Sequence, residues 1–266
     1  MPLNIAVCIK PVPDSKYYDK ITIDPATKTW DRSGIPMVIG DIDKNALETA
    51  IAIREKLGGK VSVFSMAPEY TKDKLTEALA MGADEAFLLS DRAFAGADTL
   101  ATSFTLAAGI RKAGNFDLVV TGNESDDGST GQVSAQLGEW LGLPHLMNIT
   151  RIEAGEKELT LQTLTETGFS NYSVQLPAVI GVTRKVNKPR LINIMGMLKA
   201  KSKPLTIWKA EDLGVDPSLL GLKGSPTQPG DIYIPQTGRK AEKLEGSAEE
   251  IADRIVLELR KAGIIS

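Results

Sequence analysis

One cysteine and one histidine in 266 residues leave little room for catalysis by side chains. Cys8 by itself makes no disulfide framework and no CxxC pair for redox chemistry or zinc. With His145 as the sole imidazole, a Ser-His-Asp or Cys-His centre is disfavoured; it follows Pro144 at the start of an apolar run and reads as structural. A large charge of one sign is also lacking. The formal net charge of −3 offers no electrostatic footprint for nucleic acid, and the cluster Lys199, Lys201 and Lys203 reads as a solvated face. No apolar run approaches membrane-spanning length, and the N-terminus lacks a signal peptide's basic start and long apolar core. A soluble, cytoplasmic protein without membrane insertion is expected. Redox chemistry, if there is any, must come from a bound cofactor.

What is present is a chain that can bury a core: 42% of it is hydrophobic, and its length suits one large domain with or without an appended arm. The chain is organised around residues 116–141. Leu118 to Thr121 is a short β-branched run ended by Gly122, a buried strand by pattern. Val133, Leu137 and Leu141 recur at helical spacing, with Gly142 and Pro144 as stop signals. The loop between them, Asn123 to Gln132, opens directly onto the helix. Such a unit aims free backbone N–H groups and the positive end of a helix dipole at whatever lies beyond the strand. Ser129 and Thr130 add hydroxyls, so the stretch has the chemistry of a phosphate cradle, with N–H donors expected from Ser129 to Val133. The bland alternative is that Gly and Ser only cap the helix. Asp126 and Asp127 complicate a phosphate site. No third ligand accompanies them for Mg²⁺, so no metal site is expected; one should cap the turn while the other faces water.

Around this unit the elements alternate. Leu3 to Ile9 reads as a buried strand, and Ile21 to Trp30 as a small exposed hairpin. Asp43 reads as the cap of a helix carrying Ala46, Ala50, Ile53 and Leu57 on one face. Val61 to Ser65 and Glu85 to Leu89 are further strands, separated by a helix through Leu75 and Leu79. Asp98 caps a third helix, Thr99 to Lys112. This order predicts βαβ units: an α/β, doubly wound, mostly parallel sheet whose ligand site lies beyond the strands' carboxyl ends. Those ends are Cys8 to Lys10, Ser65-Met66 and Gly122 onward, with Gly40 to Asp43 nearby.

After Pro144 the pattern changes. Glu158 to Thr163 and Asn171 to Leu176 alternate and form a small antiparallel extension; Ala178 to Thr183 rejoins the core. Residues 187–199 lead through a loop into a short helix and cluster Ile192, Ile194, Met195, Met197 and Leu198. Burial of all of them is one reading; a partner-docking patch is the other. From Lys223 to Glu245 the chain is rich in Gly, Pro, Lys and Gln, which marks residues 1–222 as the nucleotide-binding domain and 223–266 as a C-terminal arm. The arm ends in a helix with a Ser247/Glu250 capping box and an Ile251, Ile255, Leu259 stripe, to be packed on its own domain or on a second subunit.

Several stretches together resemble the β subunit of electron-transfer flavoproteins, over nearly the whole chain. They are Val7-Cys-Ile-Lys-Pro-Val-Pro-Asp14, Asn45-Ala-Leu-Glu-Thr-Ala50, Ala78-Leu-Ala-Met-Gly-Ala-Asp-Glu-Ala86, Asp127-Gly-Ser-Thr-Gly-Gln-Val133 and Leu176-Pro-Ala-Val179, with Pro189-Arg190 and Lys199-Ala-Lys201 flanking the Met-rich loop. The resemblance implies a Rossmann-like, adenine-nucleotide α-hydrolase-like fold. It also implies a heterodimer with an α subunit that carries a redox-active FAD. In the β subunit it implies an adenosine-nucleotide site, holding AMP in simple carriers and a second FAD in electron-bifurcating members. Carried over by residue, the nucleotide contacts fall on Cys8, Gly40, Asp41, Ile42, Asp43, Met66 and the Glu124–Ala135 loop, including Asp127, Gly128, Ser129, Thr130, Gly131, Gln132, Val133 and Ser134; Lys10 and Gly122 join the candidate site as residues at the strand ends. The partner-recognition loop falls on Leu191, Ile192, Ile194, Met195 and Met197. Two stretches depart from the family pattern. Gly40-Asp-Ile-Asp43 stands for Asn-Pro-aromatic-Asp, and Ser134-Ala135 for Gly-Pro.

Leu89 to Ser103 resembles the bifurcating branch, which would bring Thr99 and Thr102 to the second flavin. The resemblance then implies NADH as electron donor, ferredoxin or flavodoxin as low-potential acceptor, and a flavin-dependent dehydrogenase reached through the α-subunit FAD. The alternatives are a non-redox subunit binding AMP, and a nucleotide-sensing or nucleotide-hydrolysing domain. The last needs a basic residue and metal ligands at the loop, a requirement poorly met by Glu124, Asp126 and Asp127.

Overall fold

Alternate residues of the first strand, β1 (Leu3–Cys8), face opposite layers. Ile5 and Val7 enter one apolar cluster, Ala6 and Cys8 the other, and all four are buried. A strand buried on both faces needs helices on both sides, and this one has them. The computed structural model describes residues 2–24, 29–31, 34–228, 230 and 242–265.

In chain order β1 is followed by β2 (Pro11–Pro13), β3 (Thr22–Asp24), β4 (Thr29–Asp31), β5 (Met37–Ile39) and α1 (Asp41–Leu57). Then come β6 (Gly59–Met66), α2 (Lys72–Met81), β7 (Glu85–Leu89), α3 (Thr99–Ala113), β8 (Leu118–Gly122) and α4 (Val133–Leu141). The second half holds β9 (His145–Ala154), β10 (Glu158–Thr165), β11 (Gly168–Gln175), β12 (Ala178–Val182), α5 (Ile194–Ala200), β13 (Leu205–Trp208), α6 (Ala210–Leu213) and α7 (Ala248–Lys261).

Nine strands form one sheet in the order β11-β10-β9-β12-β8-β1-β6-β7-β13. Every pairing from β9 to β13 across this sheet is parallel; β10 and β11 add an antiparallel edge. The α/β, mostly parallel architecture with a small antiparallel extension is therefore as the alternation predicts. The hairpin expected near residue 25 is present as the β3–β4 pair, its turn at 25–28 lying outside the described residues. Helices α1 and α2 cover one face through Leu47, Ile51, Leu75 and Leu79; α3 and α4 cover the other through Leu106, Ile110 and Leu137. Each such side chain contributes about 1.5–3 kcal/mol when fully buried.

Strand β1 lies between β6 and β8, so the chain winds outward from it in both directions. This is the switch point at which an open α/β sheet leaves a crevice beyond its strands. Two strands carry no clear sequence signal. In β9 the alternation is broken by irregular pairing on both sides, with Asn148 at φ 60°, and β13 has only four residues. His145, expected to be structural, heads β9.

Contacts divide the chain into Met1–Gly230 and Asp231–Ser266. Residues 223–228 are held to the first unit: the Ser225 hydroxyl accepts the Asp98 N–H at 2.8 Å, and Thr227 N–H donates to the Asp98 carboxylate at 3.1 Å. In the second unit, the Ser247/Glu250 capping box starts α7 as its sequence predicts. Most of the Gly- and Pro-rich stretch expected to form the arm, residues 229 and 231–241, lies outside the described residues.

Candidate functional site

The carboxyl ends of β1 and β8, the N-terminus of α1 and the loop before α4 meet through a chain of charged contacts. Asp43, in the first turn of α1, is buried and accepts the Lys10 N–H at 2.7 Å. The Lys10 ammonium group donates to Asp127 at 2.6 Å, and the Asp127 side chain is only 3% exposed. Asp126 accepts the Asp41 N–H at 2.7 Å and forms an ion pair with Arg184. Both loop carboxylates are thus paired with cations. The expectation left one of them facing water; the structure instead pairs both with cations from distant segments.

Asp43 is not the cap of α1. The helix starts two residues earlier, with Gly40 at the N-cap position and no side-chain cap of its own. Burial pushes the Asp43 carboxyl up to about 7; the hydrogen bond from Lys10 N–H opposes the shift and the Asp126 charge adds to it. Burial, and then the Asp43 charge, push the neighbouring Cys8 thiol up to about 12, so Cys8 is a neutral thiol at physiological pH. Gly122 is needed where it stands: a Cβ there would lie 2.5 Å from an Asp43 oxygen.

The cradle loop uses some of its own donors. Ser129, at φ 47°, gives its N–H to the Ser125 carbonyl at 2.9 Å, and the Gly128 N–H reaches the Ser125 hydroxyl at 3.3 Å. This removes Ser129 from the expected N–H donors and leaves Thr130 to Val133. Gly131 sits at φ 62°, a left-handed conformation open to glycine at little cost. Gln132 is the N-cap of α4 and makes no side-chain cap, so the helix's first N–H groups remain available to an anion.

The N-terminus of α3 stands beside this one. Thr99 donates its hydroxyl to Gln132 at 2.8 Å and accepts from Gln136 at 3.2 Å. Asp98 caps α3 as expected, accepting from Leu100 and Ala101 N–H groups at 2.9 and 3.0 Å. Thr102 lies further along the helix, its N–H bonded to the Asp98 carbonyl. Ser134 turns to the sheet, its hydroxyl 2.7 Å from that of Thr121 in a buried contact. Met66 ends β6, half-buried on the α3 side of the sheet. Among the described residues no cluster of His, Cys, Asp or Glu could hold a metal ion, and no helix is long and apolar enough to cross a membrane.

A second exposed feature lies apart from the cradle. Leu191 (92% exposed), Ile194 (77%), Met195, Met197 and Leu198 all project into solvent, and Ile192 is partly exposed. The reading that buries them all is therefore incorrect. Asn193 caps α5 by accepting the Gly196 N–H at 2.7 Å, and a Cβ on Gly196 would lie 2.3 Å from the Ala80 carbonyl, so α5 rides against the end of α2. Lys203, from the supposed solvated cluster, is partly buried instead, donating to the carbonyls of Leu79 and Ala83 at 2.9 and 2.5 Å.

Comparison with known proteins matches residues 27–213 to the electron transfer flavoprotein domain. An electron transfer flavoprotein subunit beta of Thermoanaerobacterium thermosaccharolyticum is 43% identical over 264 residues, covering 99% of this chain and all of the relative. The chain belongs to the β-subunit family of electron transfer flavoproteins. The caffeyl-CoA reductase-Etf complex subunit CarD of Acetobacterium woodii is 40% identical over 99% of this chain and all of that protein. Protein FixA of Azorhizobium caulinodans is 37% identical, covering 97% of this chain and 94% of FixA. Membership of this family implies flavin-linked electron transfer and an α subunit as partner. The conspicuous addition from the structure is Arg184, joined to Asp126 across 58 residues of sequence, a pairing for which no local pattern exists.

Proposed function

We propose that this chain is the β subunit of a cytoplasmic, heterodimeric electron-transfer flavoprotein that holds FAD at its strand ends. In this reading NADH is the donor. Electrons are divided between a low-potential ferredoxin or flavodoxin and a flavin-dependent dehydrogenase reached through the α-subunit FAD. When bound, the flavin supplies the redox chemistry, exchanging electrons in pairs or singly. The chain's own residues bind and orient it. The N–H groups of Thr130 to Val133 serve a phosphate, Lys10 neutralises Asp127 beside it, and Cys8 contributes an uncharged wall.

One observation carries the choice of FAD: the Thr99–Gln132 hydrogen bond joins the starts of α3 and α4, so the Thr99 hydroxyl adds a second polar group beside the α4 end, where a diphosphate would extend. The relative named as a subunit of a caffeyl-CoA reductase complex supports assembly with a dehydrogenase or reductase. A second reading, AMP as a structural nucleotide, is favoured by Asp98. It already holds the Leu100 and Ala101 N–H groups, leaving α4 as the better-supplied end for one phosphate.

The test is a visible absorption spectrum of the purified heterodimer with flavin counted per dimer, followed by anaerobic addition of NADH. Two flavins per dimer, bleached by NADH, are expected. One flavin together with releasable AMP would replace this reading by the second.

A further inference from the structure

The N-terminus of α1 is capped from across the site. Gly40 occupies its N-cap position and has no side chain with which to accept the orphan N–H groups. Asp126 accepts the Asp41 N–H at 2.7 Å from a loop 85 residues away, and its other oxygen pairs with Arg184. The arrangement is reciprocal. A Cβ on Gly40 would stand 3.1 Å from the Asp126 carboxylate and 3.3 Å from that of Asp43, so a local capping residue and the distant cap compete for one space.

The loop that supplies this cap is the one that runs into the cradle. Its internal bonds include those from Ser125 to Gly128 and Ser129, and Ser129 holds a left-handed backbone at φ 47°. Such a conformation persists where surrounding contacts hold it. The Asp126 and Asp127 carboxylates tie the turn to α1, to Arg184 and to Lys10.

We propose that Asp126 is the positioning residue of the nucleotide cradle: by capping α1 across the site and pairing with Arg184, it holds the 123–128 loop so that the open N–H groups at 130–133 meet a phosphate. Arg184 has a second role. A carboxylate near a phosphate is repulsive unless its charge is met, and the guanidinium meets it. The inference rests on the nucleotide reading of the same site. It goes beyond that reading in assigning Asp126 and Arg184 to positioning rather than to contact.

The experiment titrates AMP calorimetrically into the full heterodimer after removal of the β-subunit nucleotide, and records Tm for each variant. Asp126→Ala should bind AMP about tenfold more weakly and lose thermal stability, the scale of one lost capping contact. Asp126→Asn keeps an amide oxygen that can accept the Asp41 N–H but loses the ion pair with Arg184. Tm should recover while AMP binding stays weak. Arg184→Gln, which leaves the cap in place at a side chain 59% exposed, should weaken AMP binding about threefold or more with little change in Tm.

Wild-type affinity in Asp126→Ala, or recovery of both Tm and AMP binding in Asp126→Asn, would overturn the positioning role and leave Asp126 as a helix cap. Unchanged AMP affinity in Arg184→Gln would overturn the role of the pair. A wild-type heterodimer that binds neither AMP nor FAD would remove the nucleotide reading itself. That outcome is distinct from the others, because it is read before any variant is compared.

Discussion

Arg190 grips Glu48 with three donors: its Nε at 2.8 Å, its Nη2 at 3.0 Å and its own backbone N–H at 3.1 Å. The same guanidinium also reaches both oxygens of Glu55, at 2.7 and 3.0 Å. These two carboxylates hold Arg190 well above its usual range, and Arg190 in turn holds Glu55 low. Three residues earlier, the Asn45 and Asn187 amides exchange hydrogen bonds, with Asn187 also donating to Thr49. The exposed apolar segment therefore begins from a point fixed on α1, the helix whose N-terminus borders the cradle.

Replacing Arg190 by Ala should cost about 1–3 kcal/mol, because Glu48 is largely buried and would lose its charged partner. We expect flavin or nucleotide content to be retained and turnover with the partner dehydrogenase to fall. Thermal unfolding and partner kinetics on one preparation check both parts. Loss of nucleotide with partner turnover intact would contradict the anchoring role.

Ile194 is 77% exposed, so Ile194→Ala should alter stability by no more than about 0.5 kcal/mol. If residues 191–197 dock the electron-transfer partner, that variant slows transfer to it while flavin content and reduction by NADH stay normal. Undiminished turnover in a stable, flavin-replete variant would end the docking idea.

Much of the fold could be read from local chemistry. Asp98 before Thr99, and Ser247 with Glu250, announce helices that the structure places as expected. Strand β9 could not be read, because the irregular pairing around Asn148 breaks the alternation on which strand recognition depends. The start of α1 was misplaced for a different reason: its cap comes from Asp126, and no window of sequence contains both partners. The apolar residues from Ile192 to Leu198 can be read from pattern as core or as surface. Only the close approach of Gly196 to α2 shows which side of the short helix is covered. In the cradle, residue types pointed to the loop, but the consumption of the Ser129 N–H by Ser125 depends on a backbone turn that composition does not specify.

Gly131→Val should deplete bound nucleotide while leaving the fold intact. A β-branched residue at φ 62° is strained by about 1–2 kcal/mol, and the strain falls within the proposed donors. Nucleotide released on denaturation, measured against protein, decides this; wild-type content would place the phosphate elsewhere.

Asp43 makes stability pH-dependent in a direction opposite to most carboxylates. Its carboxyl titrates near 7 in the folded chain against an ordinary value of 3.8, so the folded state holds the proton more tightly. The contribution is fully present below pH 3.8 and is lost as pH rises through about 7. Asp43→Asn should flatten that part of the stability profile between these limits. Denaturant titrations at pH 5, 6, 7 and 8 of both proteins test it, and parallel profiles would refute it.

Truncation after Gly230 removes the second unit and spares the Ser225 and Thr227 contacts to Asp98. Weaker assembly with the α subunit and little change in the fold of the first unit are expected if the stripe of α7 packs on that partner. Truncation after Leu222 should also disturb the start of α3. Sedimentation of the mixed subunits, with circular dichroism of the shortened chain, separates the two effects.

Lys203 closes what Arg190 opens. One end of the apolar segment is fastened to α1 by two carboxylates, the other to the end of α2 and the turn after it by an ammonium group on the Leu79 and Ala83 carbonyls. Between these rivets the side chains of Leu191, Ile194, Met195 and Met197 carry almost no responsibility for the core. Such a segment behaves as a cassette. If it docks a redox partner, its exposed residues can drift or be exchanged toward a different one while the anchors, and the sheet beneath them, stay unchanged.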